Sequence, residues 1–358
     1  IVKNIYLFLV TKLQARFTQK QQHELSCRLF QSYLSSPYEF HLKYNSSELL
    51  RNIKLVAIVI SGVLIPLIIA VTEFMIAFFI FLLLVWIDST SAMLITSVLG
   101  IVLWGYHFLT KTKMTLFGED FKYHEGKTYQ QVYQSFSSIK EIKILGLEKF
   151  FNEAFSLHMK KYTQTYSRAT VVTQSGKFIF ETVGVSVLLG VMVFSLSSGK
   201  NPNTALATFS LFAVALIRLM PTASRLNWAF TQIKFGIPSL NEVFDQLQKC
   251  EKLIKEKPNQ KTIAGKLIFE DQIEFTEVTY RYKGAEKLSL DSVSLIIPKN
   301  STVALVGSSG AGKTTAVDLM LGLLKPLSGD ILVDGKDMHE SLFSWQQQIG
   351  YVPQSIYL

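Results

Sequence analysis

The chain has 358 residues, enough for two domains, and 49 % of them are hydrophobic, with 26 phenylalanines and a mean hydropathy of +0.27. Lysine and arginine exceed aspartate and glutamate by 36 to 27, a net charge of +9 that suits either nucleic acid or cytoplasmic loops facing anionic lipid. The only two cysteines, Cys27 and Cys250, stand far apart with no CxxC and no nearby His pair, which argues against a metal motif and, for two cytoplasmic residues, against a disulfide.

The chain opens Ile-Val-Lys-Asn, without methionine or a signal-peptide pattern, and both termini are read as cut ends of a longer protein. Ile1 to Val10 looks like the tail of a membrane span. Leu55 to Ile87 carries one charged side chain, Glu73, and Ser89 to Thr110 carries none. Phe178 to Gly199 carries only Glu181, and Pro202 to Ile217 carries none, with Arg218 and Arg225 following. Each run is read as a membrane span across roughly 30 Å of hydrocarbon, because helices of soluble proteins are rarely apolar all round. The segments Thr11–Lys54 and Lys111–Lys177 are rich in lysine and arginine, whereas the turns near Asp88 and Ser198–Asn203 hold Lys200 alone. The positive-inside bias places the two basic segments in the cytoplasm. That explains the net charge without nucleic acid, for which no RNP-like or finger-like motif exists.

Within the basic segments, QQVYQSFSSIKEIKILGLEKFFNEAF shows helical spacing of apolar residues among charges. The spans therefore continue as helices past the bilayer and reverse, once around SPYEFHLKYNSSELL and once around SFSSIKEIKILG, ending at Gly146. After Gly236-Ile237-Pro238 comes a polar helix and then a linker with Pro258 and Asn259. From about Thr262 the pattern alternates in IEFTEVTYRY, LSLDSVSLIIP and TVALVG, which predicts strands and the start of an α/β domain.

Gly307, Ser308, Ser309, Gly310, Ala311, Gly312, Lys313 and Thr314 fit G-x-x-x-x-G-K-[ST]. An apolar strand, Thr302 to Val306, is expected to lead in, and a helix from Lys313 to Leu324 to lead out. The glycines let backbone N–H groups turn onto a phosphate, and the helix N-terminus adds partial positive charge. Lys313 would reach the β- and γ-phosphates of ATP, and Thr314 would hold Mg²⁺ by its hydroxyl, with Thr315 next to it in the binding set.

On these residues and their surroundings the chain resembles the nucleotide-binding domain of ABC transporters. The match extends upstream through VTYRYKGAEKLSLDSVSLIIPKNSTVALVG and downstream through LSGDILVDGKDM and IGYVPQ. The resemblance implies that Tyr282 stacks on adenine, and that Gln354 contacts Mg²⁺ and the attacking water and senses the membrane domain. The family's signature sequence, acidic strand and switch histidine lie beyond the glutamine loop, and hydrolysis there needs two domains facing each other. This stretch alone is therefore expected not to hydrolyse ATP.

Spans followed by such a domain resemble the exporter type of ABC half-transporter. That implies an α-helical polytopic membrane domain followed by a partial α/β P-loop domain. Residues 1–240 would hold the end of span two through span six, 241–261 a linker, and 262–358 the nucleotide-binding domain. The two reversals would be coupling helices, and the partner a second copy or a similar half-transporter. The expected place is a membrane, the bacterial inner membrane, with the nucleotide-binding domain cytoplasmic.

Inside the last span, Arg218 and Arg225 are seven residues apart and share a helix face, with Pro221 between them expected to kink the helix. Two guanidinium groups there suit a phosphate or pyrophosphate. Snorkelling, or pairing with Glu73, which sits at similar depth to Arg218 when counted from the turns, explains them equally well. NSSELLRNI and LFAVALIRLMPTASRLNWAFTQIKFGIPSLNEVF look like flippases of lipid-linked oligosaccharides, which implies a polyprenyl-pyrophosphate substrate. Export of lipid A, drugs or peptides is the alternative within the family, and a nucleotide-gated channel or regulator the alternative outside transport. A soluble P-loop kinase or GTPase would have to ignore four apolar runs.

Overall fold

The computed structural model describes residues 2–87, 89–197, 202–255 and 267–353. The expected turns at Asp88 and around Ser198 and the end of the linker lie outside those residues. The chain forms two compact units, one built from residues up to Tyr33 with Ser46–Gln248, the other from Leu34–Asn45 with Lys249 onward.

The first unit is helical. It contains α1 (Val2–Ser35), α3 (Ser46–Val59), α4 (Ile65–Ile87), α5 (Ser89–Ser137), α7 (Glu148–Ser197) and α8 (Pro202–Lys255), with α1 and α8 each running a short way into the second unit. The short helix α2 (Tyr38–Lys43) occupies the first predicted reversal, and α6 (Ile139–Leu145) the second. Gly146 closes α6 in the left-handed conformation at φ +63°, where a side chain would be strained. Helix α8 stays helical through Pro221 and Pro238, so the carbonyls of Ile217 and Lys234 lose their usual N–H donors.

Between α3 and α4 lies a π-turn, Ile60–Leu64. Pro66 comes just after it; its ring would crowd the Gly62 carbonyl in a regular α-helix, and the wider turn relieves that contact. The whole Ser46–Ile87 stretch is 42 residues long and apolar enough to cross a membrane. Phe74, Phe78, Phe79 and Trp86 of α4 are exposed, as hydrocarbon requires.

Helices α5 and α7 pack side by side and antiparallel, as Tyr106 bonding Val172 and Ser175 and Phe121 stacking near Tyr162 require. Leu84, Ile95, Leu99, Phe212 and Leu216 form a core shared by α4, α5 and α8. Further along the same helices, Glu242 of α8 takes Lys122 of α5 at 3.1 Å and Arg51 of α3 at 3.9 Å. Close approach of α8 to the π-turn depends on glycine: a Cβ on Gly236 would lie 2.7 Å from Val63 Cγ2 and 3.0 Å from the Gly62 carbonyl oxygen.

The second unit holds an antiparallel sheet in the order β2-β1-β3-β4. Its strands are β1 (Gln272–Tyr280), β2 (Leu290–Pro298), β3 (Ser328–Val333) and β4 (Lys336–Asp337). Ile273 pairs with Val333 and Phe275 with Ile331, so the buried side chains of β1 and β3 point to one face. Asp334 and Gly335, both at positive φ, make the β3–β4 turn. Asp334 also accepts the N–H groups of Glu270, Asp271 and Gln272 at 2.6, 2.9 and 2.8 Å. Phe275, Ile331, Val333, Leu319 and Trp345 fill the core.

Two expectations fail here. Thr302–Val306 is not a strand: β1 already has β2 and β3 on its two sides, and no described residue pairs with this segment. Its side chains are exposed, Val306 to 91 %, although the four consecutive apolar residues Val303–Val306 are what a doubly buried parallel strand requires. The helix after the phosphate loop, α9 (Lys313–Met320), stops four residues before Leu324. Gly322 at φ +68° ends it, with Gly322 N–H donating to Leu319 and Leu323 N–H donating to Asp318.

Candidate functional site

The loop from Gly307 to Gly312 leads directly into α9. Gly310 and Gly312 sit at φ +84° and +83°, the left-handed region that glycine enters without strain. A Cβ on Gly312 would also lie 2.4 Å from the Ser289 carbonyl oxygen and 2.8 Å from Leu290 Cδ2, whereas one on Gly310 would meet nothing within 4 Å. The loop is therefore pinned against β2 at one glycine and open at the other. Ala311 N–H turns back onto the Ser308 carbonyl at 3.2 Å. Lys313 Nζ donates to the carbonyls of Gly307 at 2.8 Å and Ser308 at 2.7 Å, so its charge rests on neutral oxygens inside the loop. Thr314 is exposed one residue further along, and Thr315 is buried. Open space at Gly310, the α9 N-terminus, an ammonium and a hydroxyl are the donor set that a polyphosphate with a hard cation needs.

Tyr282 lies beside this loop. Its hydroxyl is 3.2 Å from Thr315 Oγ1, and its ring meets Tyr280 edge-on with centroids 5.1 Å apart. It is half-buried, packed against the sheet core. Tyr38 of α2 packs against the same core and lies close enough to Asp318 and Tyr282 for burial and then their charges to raise its phenol. Tyr280 is pushed up to about 12 by burial, with Glu39 of α2 adding to it. Buried Asp318 of α9 is likewise raised, by desolvation. Sequence reasoning missed Tyr38 and Asp318; the aromatic residue after Pro37, in the first reversal, was the available signal. Gln354 lies outside the described residues.

The membrane charges lie in the helical unit. Arg225 grips Glu73 with a two-point fork, Nε on one carboxylate oxygen and Nη2 on the other at 3.1 Å. Glu73 is 7 % exposed. Of the two arginines it is Arg225, seven residues beyond Arg218 on α8, that Glu73 meets. Arg218 instead lines, with Ser210, a mostly apolar open cavity of about 530 Å³ formed by Ile80, Leu83 and Leu84 of α4 and by Leu211 and Val214 of α8.

Residues 1–220 match the family described as "ABC transporter transmembrane region", and residues 290–358 match the one described as "ABC transporter". Among curated proteins, an ATP-dependent lipid A-core flippase of Dechloromonas aromatica is 29 % identical over 237 residues, covering 65 % of this chain and 39 % of that protein. A protein of the same description from Ralstonia nicotianae is 22 % identical over all of this chain and 60 % of its own length. Among solved structures, a bacterial Atm1-family ABC exporter with ATP bound superposes with a TM-score of 0.79 at 18 % identity, over 98 % of this chain and 61 % of that one. The chain thus spans less than two thirds of the length of the relatives it matches.

Proposed function

Since this chain belongs to the ABC transporter family, as an exporter-type half-transporter with a transmembrane domain and a nucleotide-binding domain in one polypeptide, we propose that it binds MgATP at the Gly307–Thr315 loop and drives an amphipathic, phosphate-bearing lipid across a membrane. The observation that carries the nucleotide half is Lys313. Among the described residues its ammonium is held by two backbone carbonyls alone, which a β- or γ-phosphate outcompetes, while open space at Gly310 leaves room for the phosphate itself. In this reading Lys313 leaves Gly307 and Ser308 for the nucleotide, and Tyr282 offers its ring to adenine. Thr314 and Gln354 hold Mg²⁺, which when bound neutralises phosphate charge. The first test is Lys313→Ala in the full-length protein in liposomes: phosphate release should fall to background, and undiminished release rejects the assignment.

Arg218 supports the substrate half. A guanidinium lining a mostly apolar cavity suits a lipid with an anionic head, whereas Arg225 is already committed to Glu73. We take the lipid to be a polyprenyl-pyrophosphate-linked glycan. The lipid A-core flippases among the relatives favour a second reading, a lipid A-type glycolipid. Flipping of each lipid in liposomes, with Arg218→Ala as the control, separates the two. The working boundaries are residues 1–240 for the transmembrane domain, 241–261 for the linker and 262–358 for the nucleotide-binding domain. The partner is a second copy or a similar half-transporter. The membrane is a bacterial inner membrane, with the loop on its cytoplasmic side.

A further inference from the structure

His124 on α5 and His158 on α7 approach each other with their Nδ1 atoms 3.1 Å apart and ring centroids 5.3 Å apart. Both are half-buried between the two helices. Their rings are steadied by Tyr123, edge-on to His124 at 5.1 Å and to His158 at 6.5 Å. Asp120, one turn before His124, and Lys161, one turn after His158, are the charged neighbours of His124, one of each sign. None of the nucleotide or lipid chemistry above uses these residues.

Two nitrogens at 2.0–2.1 Å from a tetrahedral ion stand about 3.3 Å apart, so 3.1 Å is within a small ring rotation of a metal bite. A proton also bridges two nitrogens at this separation. The difference is that a proton engages one lone pair, and a divalent cation engages both. Among the described residues no group of three or more ligating side chains gathers, so two imidazoles are the protein's share and water completes the shell. Imidazole selects zinc, nickel or copper over magnesium, which takes oxygen ligands, so the cation that accompanies ATP would not compete.

We propose that His124 and His158 form a two-imidazole site for a divalent transition-metal cation of the zinc class, which ties α5 to α7 between the membrane and α6. The site is independent of nucleotide, and its test uses none. Zn²⁺ is titrated into the full chain in detergent micelles against a chromophoric chelator, alongside His124→Gln, His158→Gln and the double variant. The expected result is one saturable site in the parent, at least about tenfold weaker in each single variant and absent from the double variant. Zn²⁺ should also raise the thermal midpoint of the parent and leave that of the double variant unmoved, while an excess of Mg²⁺ does neither. Glutamine keeps a polar, similarly sized side chain, so folding is retained; the alanine pair is a second check. An isotherm or midpoint shift that survives in the double variant overturns the proposal. A parent chain without a Zn²⁺ response also overturns it, in favour of a shared proton.

Discussion

The two units hold their important cations in opposite ways. In the sheet unit Lys313 rests on the neutral carbonyls of Gly307 and Ser308, which lose little when the ammonium leaves. In the helical unit Arg225 is forked onto the buried carboxylate of Glu73, which loses heavily if it is abandoned. A cation on dipoles is exchangeable, and a cation on a buried anion is part of the frame.

The sharpest way to break this contrast is to remove both kinds of cation and compare what fails. Lys313→Ala should lower ATP turnover of the full-length protein by a hundredfold or more, about the loss seen when one preorganised charge-stabilising donor is deleted, with the melting temperature unchanged. A large drop in melting temperature would show Lys313 to be structural. For the membrane pair, Arg225→Ala should cost about 2–4 kcal/mol because it strands a buried carboxylate, whereas Glu73→Ala should cost about 1 kcal/mol because the Arg225 side chain, 53 % exposed, can reach a polar environment. Denaturation of both variants in micelles checks the asymmetry, and equal costs remove it. Gly312→Ala should destabilise the sheet unit by about 1–3 kcal/mol and abolish nucleotide binding, since it combines positive φ with a 2.4 Å clash on Ser289.

The smallest effect belongs to Glu242. Burial pushes its carboxyl up, but hydrogen bonding and charge from Lys122, with Gln246 and Arg51 helping, bring it below the usual glutamate value. A depressed folded value means that the contribution is present above the unfolded value of about 4.3 and is lost as pH falls through the folded one. Lys122→Met should therefore cost up to about 1 kcal/mol at neutral pH and progressively less below pH 4, read from urea midpoints at several pH values. A cost independent of pH would assign it to packing.

What could be read from the sequence was local. The glycines of the loop and the two reversals were legible, because each depends on a few adjacent residues. The apolar runs were legible because hydrocarbon demands them residue by residue. Partnership was not. The apolar run at Thr302–Val306 reads as a strand, yet a strand exists only where another backbone answers it. Glu73 and Arg225 are 152 residues apart, and their pairing depends on a helix stagger that no local pattern encodes. Tyr38 reached the core of the sheet unit from a segment that reads only as a turn between two membrane helices. Other signals were present and passed over. Gly322 was in plain view as a helix stop, and Pro66 as the sign of an irregular turn before α4.

That irregular turn makes the membrane helix a vernier. Ile60–Leu64 carries i→i+5 hydrogen bonding, one residue more per ring than the α-helix around it, and every residue added to or taken from a helix rotates the remainder of that helix by about 100°. The face that α3 shows its neighbours and the face that α4 turns toward α8 are therefore set independently, with the surplus residue as the offset. Deleting one residue from the turn would leave a smooth helix still long enough to cross a bilayer, but it would swing Glu73 away from Arg225 and exposed Phe74 with it. Length is the tolerant variable of this helix, and phase is the one that carries its chemistry.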